Sequence, residues 1–115
     1  MTEIVTLNVG GCYYQTSKET LEKKDTYFRA LVEHTNCEEV IFVDRDPSLF
    51  RYVLNWLRGT KVLPDDTLLL RELLMESDFY CIDDMKLEVE KKLHTSSTII
   101  EQLKRLSSEL SYAYK

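Results

Sequence analysis

A chain of 115 residues with 43% hydrophobic and 30% charged side chains has the composition of one ordinary globular domain with room for a short extension. A chain of this size buries roughly two-thirds of its unfolded surface, so it needs no disulfide or metal staple. The net charge of −5 is uneven, −6 in residues 1–95 and +1 in residues 96–115, and the acidic body leaves no continuous basic patch, which argues against nucleic acid and points to a partner with a basic surface. Three cysteines, Cys12, Cys37 and Cys81, show no CxxC spacing and read as reduced thiols of a cytoplasmic protein. Met1-Thr2-Glu3 begins a strand pattern instead of a leader, and no apolar run approaches the roughly 18 residues of a membrane span.

Ile4 to Val9 alternates and is β-branched, which predicts a first strand. Gly10-Gly11 supplies a tight turn, and Cys12 to Gln15, with Tyr13 and Tyr14, returns as the second strand of a hairpin. Ser17 caps a short helix through Leu21, and Asp25 is placed to cap another that carries Phe28, Leu31 and Val32 to His34. Thr35 to Glu39 is loop, and Val40-Ile41-Phe42-Val43 is a buried third strand. The next segment is fully punctuated: Asp46 at the N-cap, Pro47 in the first turn, Gly59 at the C-terminal cap. Between them Leu49, Phe50, Val53, Leu54 and Leu57 form one apolar stripe, while Arg51, Asn55 and Arg58 share another face. Asp65-Asp66-Thr67 opens a helix buried through Leu69, Leu70, Leu73 and Leu74. Phe79-Tyr80-Cys81-Ile82 is a short bridge, and Asp83-Asp84 opens a helix through Met85, Val89 and Leu93.

Thr95-Ser96-Ser97-Thr98 reads as a polar break. Beyond it Ile99, Leu103, Leu106, Leu110 and Ala113 follow spacings of four and three, the seam of a short coiled coil or the face of a helix folded back on its domain. An isolated helix of this length is marginal in water, and a preformed oligomer would hold such helices together.

Catalytic and ligand chemistry finds little footing. Gly10-Gly11 lies inside a hairpin without a third glycine or a following long helix, so it is a turn and not a phosphate loop. His34-x-x-Cys37 is at most half a metal site, and His94 and Cys81 stand apart from it. Neither histidine has a nucleophile–base context. Asp44-Arg45-Asp46 admits two readings, a local ion-paired corner or a guanidinium fork reaching a neighbouring subunit. Arg51, Asn55 and Arg58 are a solvated face or a polar interface. Tyr27, Phe79 and Tyr80 lie near helix ends, where core packing is the default for Phe79 and a tyrosine suits a protein contact.

Thr6-Leu7-Asn8-Val9-Gly10-Gly11, Thr16-Ser17, Val43-Asp44-Arg45-Asp46-Pro47, Leu49-Phe50-Arg51-Tyr52-Val53-Leu54-Asn55 and Asp78-Phe79-Tyr80-Cys81-Ile82 together resemble the T1-type BTB/POZ domain. That domain tetramerises voltage-gated potassium channels and forms the self-assembling module of KCTD-type proteins, to which the second and last pieces are nearer. The resemblance implies an α+β fold in residues 1–94, a small three-stranded sheet capped by a cluster of helices, followed by a C-terminal helix in 95–115. It implies an assembly module, not an enzyme, with no cofactor. It also implies a ring of four or five copies joined through Asn8, Gly10, Gly11, Arg45, Asp46, Arg51, Asn55 and Arg58. KCTD-type proteins include adaptors that present cullin-3 to substrates for ubiquitylation, and the corresponding surface here would be Tyr27, His34, Glu38, Glu39, Phe79, Tyr80 and Ile82. The alternative is a pure assembly module, or one that co-assembles with longer relatives, without a cullin role. The chain departs from the family in the charged link between residues 21 and 40. It also has Lys86-Leu87-Glu88-Val89-Glu90 where some channel domains carry a zinc-binding cysteine pair.

Overall fold

The computed structural model describes residues 3–36 and 38–113, with backbone alone at 96–99 and 108–113. Strands β1 (Ile4–Val9) and β2 (Cys12–Ser17) form an antiparallel hairpin, and β3 (Ile41–Val43) pairs parallel to β1 on its other edge. The sheet order is therefore β2-β1-β3. Helices α1 (Lys18–Glu22), α2 (Tyr27–Glu33), α3 (Pro47–Arg58), α4 (Thr67–Phe79) and α5 (Asp83–Ala113) complete the domain. This is the α+β arrangement that the resemblance implied.

Strand alternation separates the two faces of the sheet. Val5, Leu7, Val9, Ile41 and Val43 point inward and are buried, whereas Ile4, Thr6, Asn8, Tyr13, Gln15 and Phe42 point outward. The third strand is thus only half buried, against the sequence expectation: Phe42 is 61% exposed because β3 is an edge strand with one covered face. Against the inner face α3 contributes Leu49, Phe50, Val53, Leu54, Trp56 and Leu57. An aromatic nucleus ties α2 and α3 to the end of α4. Phe28 and Tyr80 stack at 4.7 Å, and Phe50 meets each of them edge-on at 5.8 Å.

Caps set the helix boundaries. Ser17 and Asp46 accept backbone N–H bonds from Thr20 and Ser48, as expected, and Asp66 accepts one from Leu69 at the start of α4. Helix α2 is capped by Thr26, not Asp25: the buried Thr26 hydroxyl accepts from the Phe28 N–H. Helix α3 ends at Gly59 in the left-handed conformation, with Thr60 N–H bonding Asn55 O and Gly59 N–H bonding Trp56 O. Helix α4 ends by the same double bond without a glycine. Cys81 adopts φ 58°, Ile82 N–H bonds Ser77 O and Cys81 N–H bonds Asp78 O. The closure buries Ile82 and turns the chain directly into α5.

The polar break expected at Thr95 to Thr98 does not occur, because α5 runs unbroken from Asp83 to Ala113. The Thr95 hydroxyl donates to Lys91 O one turn back, which satisfies it within the helix. Met85 and Val89 are fully buried, so the first turns are nucleated on the core and propagation from them is cheap.

Asp84 fastens the start of α5 to two earlier links. It pairs with Lys24, between α1 and α2, and with Lys61 after α3, the latter at 3.3 Å. Burial opposes its charge, but hydrogen bonds from Lys24 and Lys61 outweigh this, and the carboxyl sits at about 2 against an ordinary 3.8. The indole N–H of Trp56, buried without a fully formed hydrogen bond, adds to the positive field there. A depressed carboxyl stabilises the fold above its unfolded value and loses that contribution as pH falls through the folded one. Asp84→Asn is therefore expected to cost about 1 kcal/mol at neutral pH, kept small by solvent screening. The gap to wild type should close between pH 3.8 and about 2, which urea unfolding across that range will check.

Candidate protein-interaction surface

The hairpin turn and the corner before α3 form one structure. Gly10 and Gly11 both take positive φ, 55° and 100°, the requirement of a two-residue turn whose twist matches the strands. Asn8 Oδ1 accepts the Gly11 N–H at 2.9 Å, and Gly10 N–H bonds Val43 O at 3.0 Å. A Cβ on Gly10 would lie 2.4 Å from Arg45 O, so the turn packs directly on the corner backbone. The Tyr14 hydroxyl donates to Pro47 O at 2.6 Å and holds the second strand to the same point. The Ser48 hydroxyl and N–H hold the Asp46 carboxyl below the usual carboxylate range.

Arg45 leaves this corner to grip α4. Its Nε and Nη2 each donate at 2.9 Å to the two carboxylate oxygens of Glu76, which is 5% exposed. The guanidinium also lies 4.3 Å from the Phe79 ring centroid. The carboxylate that Arg45 faces is thus in the same chain, on α4. Sequence reasoning did not single out Glu76. Its signal was a lone acidic residue on the inward side of α4, three residues past Leu73.

The remaining expected interface residues spread along α3. Arg58 Nη2 bonds Gln15 O at 2.8 Å and links the end of α3 to the β2 edge. Exposed Arg51 lies over the Tyr52 ring at 5.3 Å, and Asn55 is half-buried.

The residues expected to meet a cullin divide in two. Tyr80 and Ile82 are each 1% exposed and belong to the core, so neither offers its side chain to a partner. Burial, and then the Glu76 carboxylate, raise the Tyr80 hydroxyl above its ordinary value; it has no hydrogen-bond partner among the described residues. The helix period explains the difference: Tyr80 falls in line with the buried Leu73 and Ser77 of α4, while Phe79 falls beside that line and is 40% exposed. Phe79 contacts the half-buried Tyr27 ring at 5.3 Å. His34, Glu38 and Glu39 are exposed beyond α2, where Asn36 Oδ1 accepts the Glu38 N–H. Glu38 lines a shallow groove with Ile4, Lys18 and Asn36, at the start of β1. Cys37 lies outside the described residues. Along α5, Ile100, Leu103 and Leu106 are 45%, 60% and 55% exposed. The side chains of Ile99, Leu110 and Ala113 lie outside the described residues.

Residues 5–91 match the BTB/POZ domain family. The chain belongs to that family, in its potassium-channel-tetramerisation form. It is thereby a protein-interaction domain. Among its relatives is a zebrafish (Danio rerio) BTB/POZ domain-containing adapter for CUL3-mediated RhoA degradation, 38% identical over 85 residues, covering 69% of this chain and 26% of that protein. A rat (Rattus norvegicus) SH3KBP1-binding protein is 38% identical over 103 residues, 83% of this chain and 14% of its own length. An uncharacterised Caenorhabditis elegans protein is 36% identical over 109 residues, 87% and 41%. The chain thus spans less than half of each of these relatives. Among the described residues no helix is long and apolar enough to cross a membrane.

Removing Arg45 alone would strand the Glu76 carboxylate in the core. Arg45→Met should cost about 2–4 kcal/mol in urea unfolding. Arg45→Met with Glu76→Leu should recover part of that loss, because an apolar pair leaves no buried charge behind.

Proposed function

We propose that the chain is a homo-oligomerising interaction module, four or five copies closed into a ring, that acts as a KCTD-type adaptor for a cullin-3 ubiquitin ligase in the cytoplasm. The observation that carries self-association is the exposed apolar stripe of Ile100, Leu103 and Leu106 on a helix rooted in the domain core. A lone helix would gain by burying that stripe, and identical helices brought parallel by a ring provide the means. The hairpin residues Asn8, Gly10 and Gly11, the corner of Arg45 and Asp46, and the α3 face of Arg51, Asn55 and Arg58 are the body contacts of this reading. Exposed Cys12 and Cys81 thiols are compatible with a reducing compartment. The zebrafish relative's name supports the cullin role.

Light scattering coupled to size exclusion should give a mass of four or five chains. Leu103→Glu should weaken this assembly without abolishing it, since the body contacts remain. A wild-type monomer overturns the reading, and complete dissociation by Leu103→Glu places all the affinity in the tail.

For the adaptor role, Phe79 with Tyr27 supplies the exposed aromatic anchor, and His34, Glu38 and Glu39 the polar periphery that draws a basic partner. Calorimetry with the cullin-3 N-terminal domain should detect binding that Phe79→Ala weakens about tenfold or more. A second reading is favoured by the burial of Tyr80 and Ile82, which leaves fewer side chains for a cullin. In it the chain assembles with itself or with longer relatives and has no ligase role. Absence of binding heat for an assembled wild type selects that reading.

A further inference from the structure

Three pairs of adjacent cations occur in the chain, Lys23-Lys24, Lys91-Lys92 and Lys104-Arg105. The residue two places beyond each pair differs in what it can offer. Thr26 is buried, and its hydroxyl is spent capping α2. His94 has no hydroxyl. Ser107 is exposed, and no hydrogen bond holds its hydroxyl among the described residues, in contrast to Thr95, whose hydroxyl is tied to Lys91 O. Every residue from Ile100 to Ser107 is exposed, so this part of α5 lacks the buried face that anchors its first turns. A helical segment held by its own backbone bonds alone is marginal in water and opens locally at little cost.

We propose that Ser107 is a phosphorylation site, read by a protein kinase with an acidic substrate groove, and that its modification loosens the assembly of the α5 tails. The regulation rests on the self-association reading above; the modification itself does not. Lys104 and Arg105 lie three and two residues before the serine, so an opened segment presents two cations to carboxylates of the enzyme while the hydroxyl reaches the reacting centre. The Ser107 oxygen attacks the γ-phosphorus of ATP and the bond from that phosphorus to the β,γ-bridging oxygen breaks. ADP leaves, and the hydroxyl proton passes to a carboxylate of the kinase. Ser107 follows Leu103 by four residues and Leu106 by one, which sets it at the edge of the apolar stripe. A phosphate there adds about 1.5 to 2 negative charges to each copy of a chain that already carries −5. In a bundle of parallel tails these charges stand beside one another, and desolvating them along with the seam is costly. Lys104, one turn back, offsets only a fraction of the charge as an exposed pair. Assembly and modification therefore oppose one another: a bundled tail cannot open into the kinase groove, and a modified tail bundles less tightly.

The test treats the full chain with ATP, Mg²⁺ and the catalytic subunit of cyclic-AMP-dependent protein kinase, an enzyme that reads paired cations before a serine. Peptide mass mapping and sedimentation velocity over a concentration series are the readouts. One phosphoryl group per chain should map to Ser107 and be absent from Ser107→Ala. Its rate of transfer should fall about tenfold or more when Lys104→Gln and Arg105→Gln are combined. Unmodified Ser107→Ala should assemble as wild type does, whereas phosphorylated wild type should show a dissociation constant raised about tenfold or more. A wild type left unmodified, or modified at another residue, while a control peptide is phosphorylated overturns the site. Modification at Ser107 that leaves the dissociation constant of an assembled chain unchanged overturns the regulation and leaves self-association standing. A wild type that is monomeric before any treatment overturns self-association and the regulation with it, and the mapping alone then decides the site.

Discussion

Arg45 joins three parts of the molecule that the chain itself separates. Its backbone oxygen is the floor on which the Gly10 turn rests, and its neighbour Asp46 caps α3. Its side chain crosses to Glu76, 31 residues later, and covers Phe79. The sheet, α3 and α4 thus meet at one residue on the edge of their shared core. Glu76 accepts this fork with both oxygens, so its buried charge has a partner of matching shape. The glycine turn follows from the same requirement: any side chain at residue 10 would push the corner backbone away and disturb both ends of the fork.

The unbroken α5 constrains how copies can be arranged. Leu103 follows Met85 by eighteen residues, about five turns, so it falls on the same side of the helix that enters the core. A stripe that starts buried thus continues into solvent without a hinge among the described residues. In a ring with shared symmetry, the tilt of each domain then dictates the crossing angle of the tails. In the proposed ring, tail and body contacts could not be optimised independently, and a hinge at residue 95 would have removed that coupling. Ile100 widens the apolar stripe beyond a two-helix seam, which favours more than two helices around the axis.

Much of the fold was legible because its signals are local. Asp46-Pro47 and Gly59 bracket α3, Gly10-Gly11 mark the hairpin turn, and alternation from Ile4 to Val9 gives the inward and outward residues. What stayed hidden depends on partners distant in the chain. Glu76 gives no sign in its own helix that Arg45 will bury it. Tyr80 and Phe79 are adjacent aromatics at the end of α4, and the helix runs far enough to put Tyr80 in line with the buried Leu73 and Ser77 because a left-handed Cys81, a conformation sequence assigns to glycine, ends it only afterwards. Thr26 displaced Asp25 as a cap because the hydroxyl is small enough to be buried there with its bond satisfied. The polar run at Thr95 misled because serine and threonine are poor helix formers by propensity, whereas a helix already nucleated on a core tolerates them.

Two kinds of surface stand on one small domain. The outward sheet face is aromatic, and its hydrogen-bonding groups are held in register by the strands. The surface beside α2 and α4 is acidic and irregular, with Glu38 and Glu39 on a loop and one exposed ring at Phe79. Exposed carboxylates suit a different protein of opposite charge, which they attract from a distance before an aromatic anchor such as Phe79 is desolvated. In the proposed reading, assembly through the tail of α5 and recruitment at the Phe79 end of α4 would use separate surfaces, the physical condition for a scaffold that gathers copies of itself and still holds a partner.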